Sequence, residues 1–140
     1  MIDLENTFLS VKPHNSIKNK IIVGRSFRYR NAYLNYKFLK NTKNLLCIGL
    51  KEEFQDLKKE INNLEFHDCK DFLEMAEILQ ACRFYVGNMS LQYYISEALK
   101  IPRLLEASPD FPVHFPIGEY AFDAYHQNHF EKFFTNLNKS

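Results

Sequence analysis

The stretch from Phe84 to Glu106 constrains this chain more than any other. Phe84, Tyr85 and Val86 form a short apolar run that ends at Gly87, and a helical pattern follows, with Leu91, Tyr94, Ile95, Ala98 and Leu99 at i, i+3, i+4, i+7 and i+8. Ser90 stands where a helix wants an N-cap, and Ile101-Pro102 stops the helix before a second apolar run, Leu104-Leu105. The unit reads strand, tight turn, helix, strand. Two strands joined by a helix pair in parallel. Such a turn leaves backbone N–H groups at the carboxyl end of the first strand, where open parallel sheets bind ligands and where a helix N-terminus favours phosphate. Ser90, Tyr93 and Glu97 fall on one helical stripe, roughly opposite the expected core face. That stripe fits either a nucleotide crevice or a solvated helix face.

The same alternation recurs along the chain. Ile21-Ile22-Val23 is a short β run ending at Gly24, and Leu45 to Leu50 is a continuous apolar run, as a strand covered on both faces should be. Asn31 to Lys40 reads as a helical turn or two. Phe54, Leu57, Ile61 and Leu64 mark an amphipathic helix, and Leu64 to His67 a weak strand. Asp71 with Glu74 resembles a capping arrangement for a helix whose apolar side is Phe72, Met75, Ile78, Leu79 and Cys82. Strand and helix repeated in this way predict an α/β fold, a Rossmann-like three-layer sandwich with a mostly parallel sheet of about five strands.

After Glu106, Pro109, Pro112 and Pro116 predict a loop over the sheet's edge, with His114 and Glu119 near the crevice. Tyr120, Phe122 and Tyr125 read as core-closing aromatics, and Phe130, Phe133, Phe134 and Leu137 as the seam of a last helix. A chain of 140 residues, 46% hydrophobic, can bury one good core and hardly two. Residues 20–140 are therefore expected to form a single domain. Residues 1–19 read as an N-terminal arm or linker remnant, in which Phe8 to Val11 could add an extended edge segment.

Charge is unevenly spread. Lys12 to Lys43 holds nine Lys/Arg and no acid, whereas Lys51 to Glu77 holds nine acids against four Lys. An anion would be steered to the first segment, while the acidic one would repel a polyanion, so nucleic acid is not the expected partner. Within the basic segment, Arg25, Arg28 and Arg30 follow the first strand directly. Guanidinium forks suit phosphate oxygens, which makes Arg25 and Arg28 candidate phosphate ligands with Ser26 as a helper; Arg30 is equally served by an acid elsewhere. Gly24 stands alone, without the Gly-x-Gly-x-x-Gly of dinucleotide sites. Cys47, Cys69 and Cys82 lack Cys-x-x-Cys spacing and read as reduced structural thiols, and His126 and His129, with Asp123 explained as an N-cap, have no third ligand in sequence. No metal and no cofactor is expected. No apolar run reaches membrane-span length and no secretory signal opens the chain, so a cytoplasmic location is the expectation.

Gly87-Asn88-Met89-Ser90, followed by Glu97-Ala98-Leu99-Lys100-Ile101-Pro102, resembles the late β-α-β signature of GT-B-fold glycosyltransferases, notably the heptosyltransferase-like family (glycosyltransferase family 9-like). There the turn commonly reads Gly-Asn-Asp-Ser-Gly, and the helix ends in Gly-Ile-Pro. The resemblance covers roughly Lys20 to Leu137. It implies the C-terminal, donor half of a two-domain enzyme, binding a nucleotide-diphosphate sugar for hexosyl or heptosyl transfer. On that reading the backbone around Asn88, Met89 and Ser90, with Arg25, Ser26 and Arg28, faces the diphosphate, and Glu97 holds the ribose. Met89, Leu91 and Tyr94 stand where the family has an acid, a glycine and a histidine. No general base for the acceptor is evident, so a separate acceptor domain, or a homo-oligomer, is implied for turnover. The alternative is a non-catalytic, degenerate Rossmann module that binds a nucleotide or a protein partner.

Overall fold

The computed structural model describes residues 17–111 and 116–139. The apolar runs become strands β1 (Ile21–Gly24), β2 (Leu45–Cys47), β3 (Glu65–Phe66), β4 (Phe84–Gly87) and β5 (Arg103–Glu106), and a sixth, β6, is Ala121–Ala124. Between them lie α1 (Lys51–Lys58), α2 (Phe72–Ala81) and α3 (Leu91–Leu99), with α4 (Gln127–Lys139) at the end and a 3-10 turn at Lys37–Asn41. The six strands form one sheet in the order β3-β2-β1-β4-β5-β6, with every pairing parallel. That is the strand order of a doubly wound Rossmann-like sheet.

Alternation along the strands separates two apolar layers. Ile21, Val23, Leu45, Cys47, Phe84, Val86 and Leu104 point to one face, where they meet Leu57 of α1, Leu39 of the 3-10 turn, and Phe130, Phe134 and Leu137 of α4. Ile22, Leu46, Ile48, Tyr85 and Leu105 point to the other, against Met75, Ile78 and Leu79 of α2 and Tyr93, Ile95 and Leu99 of α3. Both faces of the sheet are covered, which is why its strands read as unbroken apolar runs rather than alternating ones.

β6 had no apolar run to announce it. It is an edge strand of the sequence Ala-Phe-Asp-Ala, three of its four residues half-buried, and its place is set by pairing Arg103 with Ala121 and Glu106 with Ala124. Asp123 thus lies within a strand and does not cap a helix. Helix α1 stops at Lys58, short of the expected Leu64, because Asn62 and Asn63 turn the chain into β3; Ile61 and Leu64 reach the core from that turn. Ile17, in the segment read as an arm, is buried among the α2/α3-side residues. The Phe8 to Val11 run and His114 lie outside the described residues.

The largest correction concerns α3. Its buried face is Gln92, Tyr93, Ile95, Ser96 and Leu99, whereas Leu91 and Tyr94, expected in the core, are 54% and 43% exposed. The polar members of that face are satisfied internally: Gln92 Nε2 donates to Ile48 O (2.9 Å) and Ser96 Oγ to Gln92 O (2.8 Å). Lys100 ends the helix in the left-handed region (φ 56°), a place usually given to glycine, and its ammonium bonds Glu97 and Ile117 O. Among the described residues no helix is long and apolar enough to cross a membrane.

Candidate functional site

The sheet reverses its winding between β1 and β4: beyond their loops, the chain from β1 packs on one face and α3, which follows β4, on the other, and the carboxyl ends of such a pair are where open parallel sheets bind ligands. Gly24 and Gly87 are paired there. A Cβ on Gly87 would stand 2.0 Å from Gly24 O, so only glycine permits this approach. Beyond the glycines the two loops are stitched together. Asn88, fully buried, accepts from Ser26 N (2.8 Å) and donates to Ser26 O (2.9 Å), while Ser26 Oγ donates to Met89 O (2.9 Å). Tyr85 lies beneath the turn with its hydroxyl 3.2 Å from Ser90 Oγ.

A cavity of about 550 Å³ opens at this rim, a size that fits a small organic ligand. Ser26, Arg28 and Tyr29 line it from the β1 loop, Met89, Ser90, Leu91 and Gln92 from the α3 turn, and Gly49, Leu50 and Glu53 from the β2 end. Ser90 caps α3, its Oγ accepting from Tyr93 N at 3.3 Å. The N–H groups of Leu91 and Gln92 belong to the first turn, which a helix cannot satisfy from within. Arg28 is exposed and has no hydrogen-bond or ion-pair partner among the described residues. Glu53 is only 8% exposed, and burial raises its carboxyl above the ordinary value of 4.5. Gly49, at φ 117°, brings the β2 end against Gln92: a Cβ there would lie 2.0 Å from Gln92 Nε2 and 3.4 Å from a Glu53 oxygen.

The sequence candidates divide into two groups. Ser26, Arg28, Met89 and Ser90 line the cavity together, and Asn88 is the strut that holds their loops in place. Arg25 and Glu97 are turned inward. Arg25 makes a bidentate pair with Glu106, Nε to Oε1 and Nη2 to Oε2 both at 2.8 Å, and also donates to Leu34 O (3.0 Å). Tyr36 and the Asn31 N–H complete that carboxylate's shell at 2.8 and 2.7 Å. Burial raises the Tyr36 hydroxyl well above its usual range, and the neighbouring Glu106 adds to the rise.

Glu97 binds Arg103 through Nε (3.2 Å) and Nη2 (3.0 Å), takes the Lys100 ammonium, and accepts from Ile117 N (3.1 Å). It clamps the proline-rich loop to the start of β5 and does not line the cavity. Neither residue presents its charge to a ligand, because each is consumed by a buried partner that no local pattern revealed. Arg30 is likewise spent, on Asp56 at 2.7 Å.

Sequence reasoning missed the β2 and β3 ends, where Gly49, Leu50, Glu53, Asp68 and Cys69 line the cavity. The available signal was positional: once strands are assigned in a parallel sheet, the residues just past each carboxyl end are candidates. Among the described residues, one group of metal-ligating side chains converges, His67, Cys69 and Glu74, beside this cavity. His126 and His129, with ring centroids 5.8 Å apart, are not part of such a group. Comparison with protein-family models, curated proteins and solved structures finds no match to this chain.

Proposed function

We propose that the crevice binds the nucleoside diphosphate of a nucleotide-activated sugar, and that the chain serves as the donor half of a glycosyltransferase-like protein whose acceptor half is a separate domain. The observation that carries this reading is the Arg28 guanidinium, unpaired among the described residues, on the same cavity as the first turn of α3. Departure of a nucleoside diphosphate builds negative charge that needs preorganised donors, and a guanidinium on the same cavity as the N-terminus of a helix supplies them. Glu53, which lines the cavity from the β2 end, takes the ribose-facing role that the resemblance placed on Glu97. Leu50, Met75 and Met89 offer an apolar wall for the base.

Exposed apolar side chains at the carboxyl edge, Phe27, Leu50, Phe72, Leu73 and Leu91, each more than half exposed, support a second domain closing over the crevice. Met89, Leu91 and Tyr94, in place of the family's acid, glycine and histidine, favour one further reading: a module that holds a nucleotide without transferring its sugar.

Calorimetric titration of nucleoside diphosphates and their sugars tests the binding. The unmodified chain should bind at least one with a sub-millimolar Kd, and Arg28→Ala should weaken it by about 10- to 100-fold, the worth of a charge-assisted hydrogen bond. Absence of binding to every nucleoside diphosphate would sink both readings. Release of diphosphate from a bound donor, measured with and without acceptor sugars, separates transfer from storage.

A further inference from the structure

Three side chains beside the cavity, unused by the nucleotide reading, bring three different metal-ligating atoms together. His67 follows β3, and its N–H extends the ladder by donating to Cys47 O at 3.0 Å, so its backbone is anchored to the sheet. Glu74 lies in the first turn of α2, where Asp71 caps the helix by accepting from Glu74 N at 2.9 Å. Cys69 sits in the connection between them, on the cavity wall. One ligand atom from each of the three lies within 4.8 Å of the others, and all three residues are half-buried. The His67 Nε2 to Glu74 Oε1 separation is already 3.1 Å.

We infer that His67, Cys69 and Glu74 form a zinc-binding site with three protein ligands and an open fourth position toward the cavity. Zinc bonds to sulfur at about 2.3 Å and to nitrogen or oxygen at about 2.0–2.2 Å, so tetrahedral geometry needs ligand atoms about 3.3–3.7 Å apart. The three ligand atoms already lie within 4.8 Å of one another, so side-chain rotation alone has to close the remaining gap. Ligand chemistry selects the metal: one thiolate, one imidazole and one carboxylate make a mixed set that suits zinc, whereas magnesium and calcium take oxygen cages. The Lys70 N–H, bonded to Glu74 Oε1 at 3.0 Å, holds the carboxylate in orientation as an outer partner of a ligating group does. Asp68, another residue of the cavity wall, adds negative charge beside the cation. The sequence disguised this group because His-x-Cys followed five residues later by Glu matches no familiar spacing; it arises where a strand end meets a capped helix. The site stands independently of the nucleotide reading.

The test uses the untagged full chain, stripped with chelator, titrated with zinc against a chromophoric competitor and, separately, with cobalt(II). The expected result is one zinc per chain with sub-micromolar Kd, and a cobalt complex showing a thiolate charge-transfer band. Cys69→Ser should abolish that band and weaken zinc at least tenfold, and His67→Ala should weaken zinc to the same degree, while Cys82→Ala and His126→Ala leave both band and affinity unchanged. Circular dichroism of the metal-free variants checks that they fold; should Cys69→Ser fail to fold, Glu74→Gln is titrated in its place, and the same tenfold weakening is expected. Absence of stoichiometric zinc, or binding that persists in the triad variants and is lost with His126→Ala, overturns the site.

Discussion

Replacing Arg25 by alanine separates two roles for a guanidinium at the end of the first strand. If Arg25 held phosphate, its loss would cost affinity and leave the fold untouched. The structure places it instead 6% exposed, in a bidentate pair with Glu106, itself 1% exposed. Breaking a buried pair by removing one partner costs about 3–5 kcal/mol, because the remaining charge is left uncompensated. Two charge-assisted hydrogen bonds at about 1.5–3 kcal/mol each lead to the same range. Against a total stability of about 5–15 kcal/mol, this is about a fifth or more of the whole.

For a chain of this size, with about 3–4 °C per kcal/mol, Arg25→Ala should lower Tm by roughly 10–20 °C. Urea unfolding followed by circular dichroism gives the free energy directly. Removing the cluster's three side chains together, as Arg25→Met with Tyr36→Phe and Glu106→Leu, should recover at least half of the loss, since most of the cost lies in the orphaned charge. A Tm within two degrees of the unmodified chain, with nucleotide affinity gone, would refute the argument and return Arg25 to the ligand.

Arg28→Ala is the counterpart: stability should stay within about 0.5 kcal/mol, as for an exposed residue with no partner among the described residues, and any loss should fall on ligand affinity in the same titration. Gly87→Ala, whose Cβ would stand 2.0 Å from Gly24 O, should force the β1 and β4 ends apart and destabilise the chain by about 3 kcal/mol or more in urea unfolding. Glu97→Gln should loosen the proline-rich loop and raise hydrogen exchange around Ile117 without weakening nucleotide binding, since the carboxylate serves Arg103, Lys100 and Ile117 N.

Glu53 carries a pH signature. Its folded carboxyl titrates above the unfolded one, so the folded state binds more protons between the two values, and stability falls as pH rises through that window. Glu53→Gln should flatten this part of the stability profile, with the variant gaining on the unmodified chain above the window and matching its pH dependence below it. A profile identical in shape for the two proteins would count against the burial of this carboxyl.

What the sequence alone determined was the architecture. Apolar runs of strand length, each followed by a turn and a helical period, admit little besides a parallel sheet covered on both faces, and glycine at the ends of β1 and β4 marks where the backbones close. These features are local, so they are written in consecutive residues. The function of each charge was decided elsewhere. Arg25 and Arg28 are three residues apart with the same chemistry, yet one meets Glu106 from across the sheet and the other meets the cavity. Glu97 was drawn off by Arg103, while Glu53 and Cys69 came to the crevice from segments after β2 and β3 that the resemblance had not singled out. The face of α3 was settled in the same way: Gln92 could be buried because Ile48 O was there to receive it, which released Leu91 to the mouth of the crevice. A buried polar group is stable only beside its partner, and which partner arrives depends on how distant strands are ordered. For that reason only the assembled sheet separates a charge that holds the fold from one that faces a ligand.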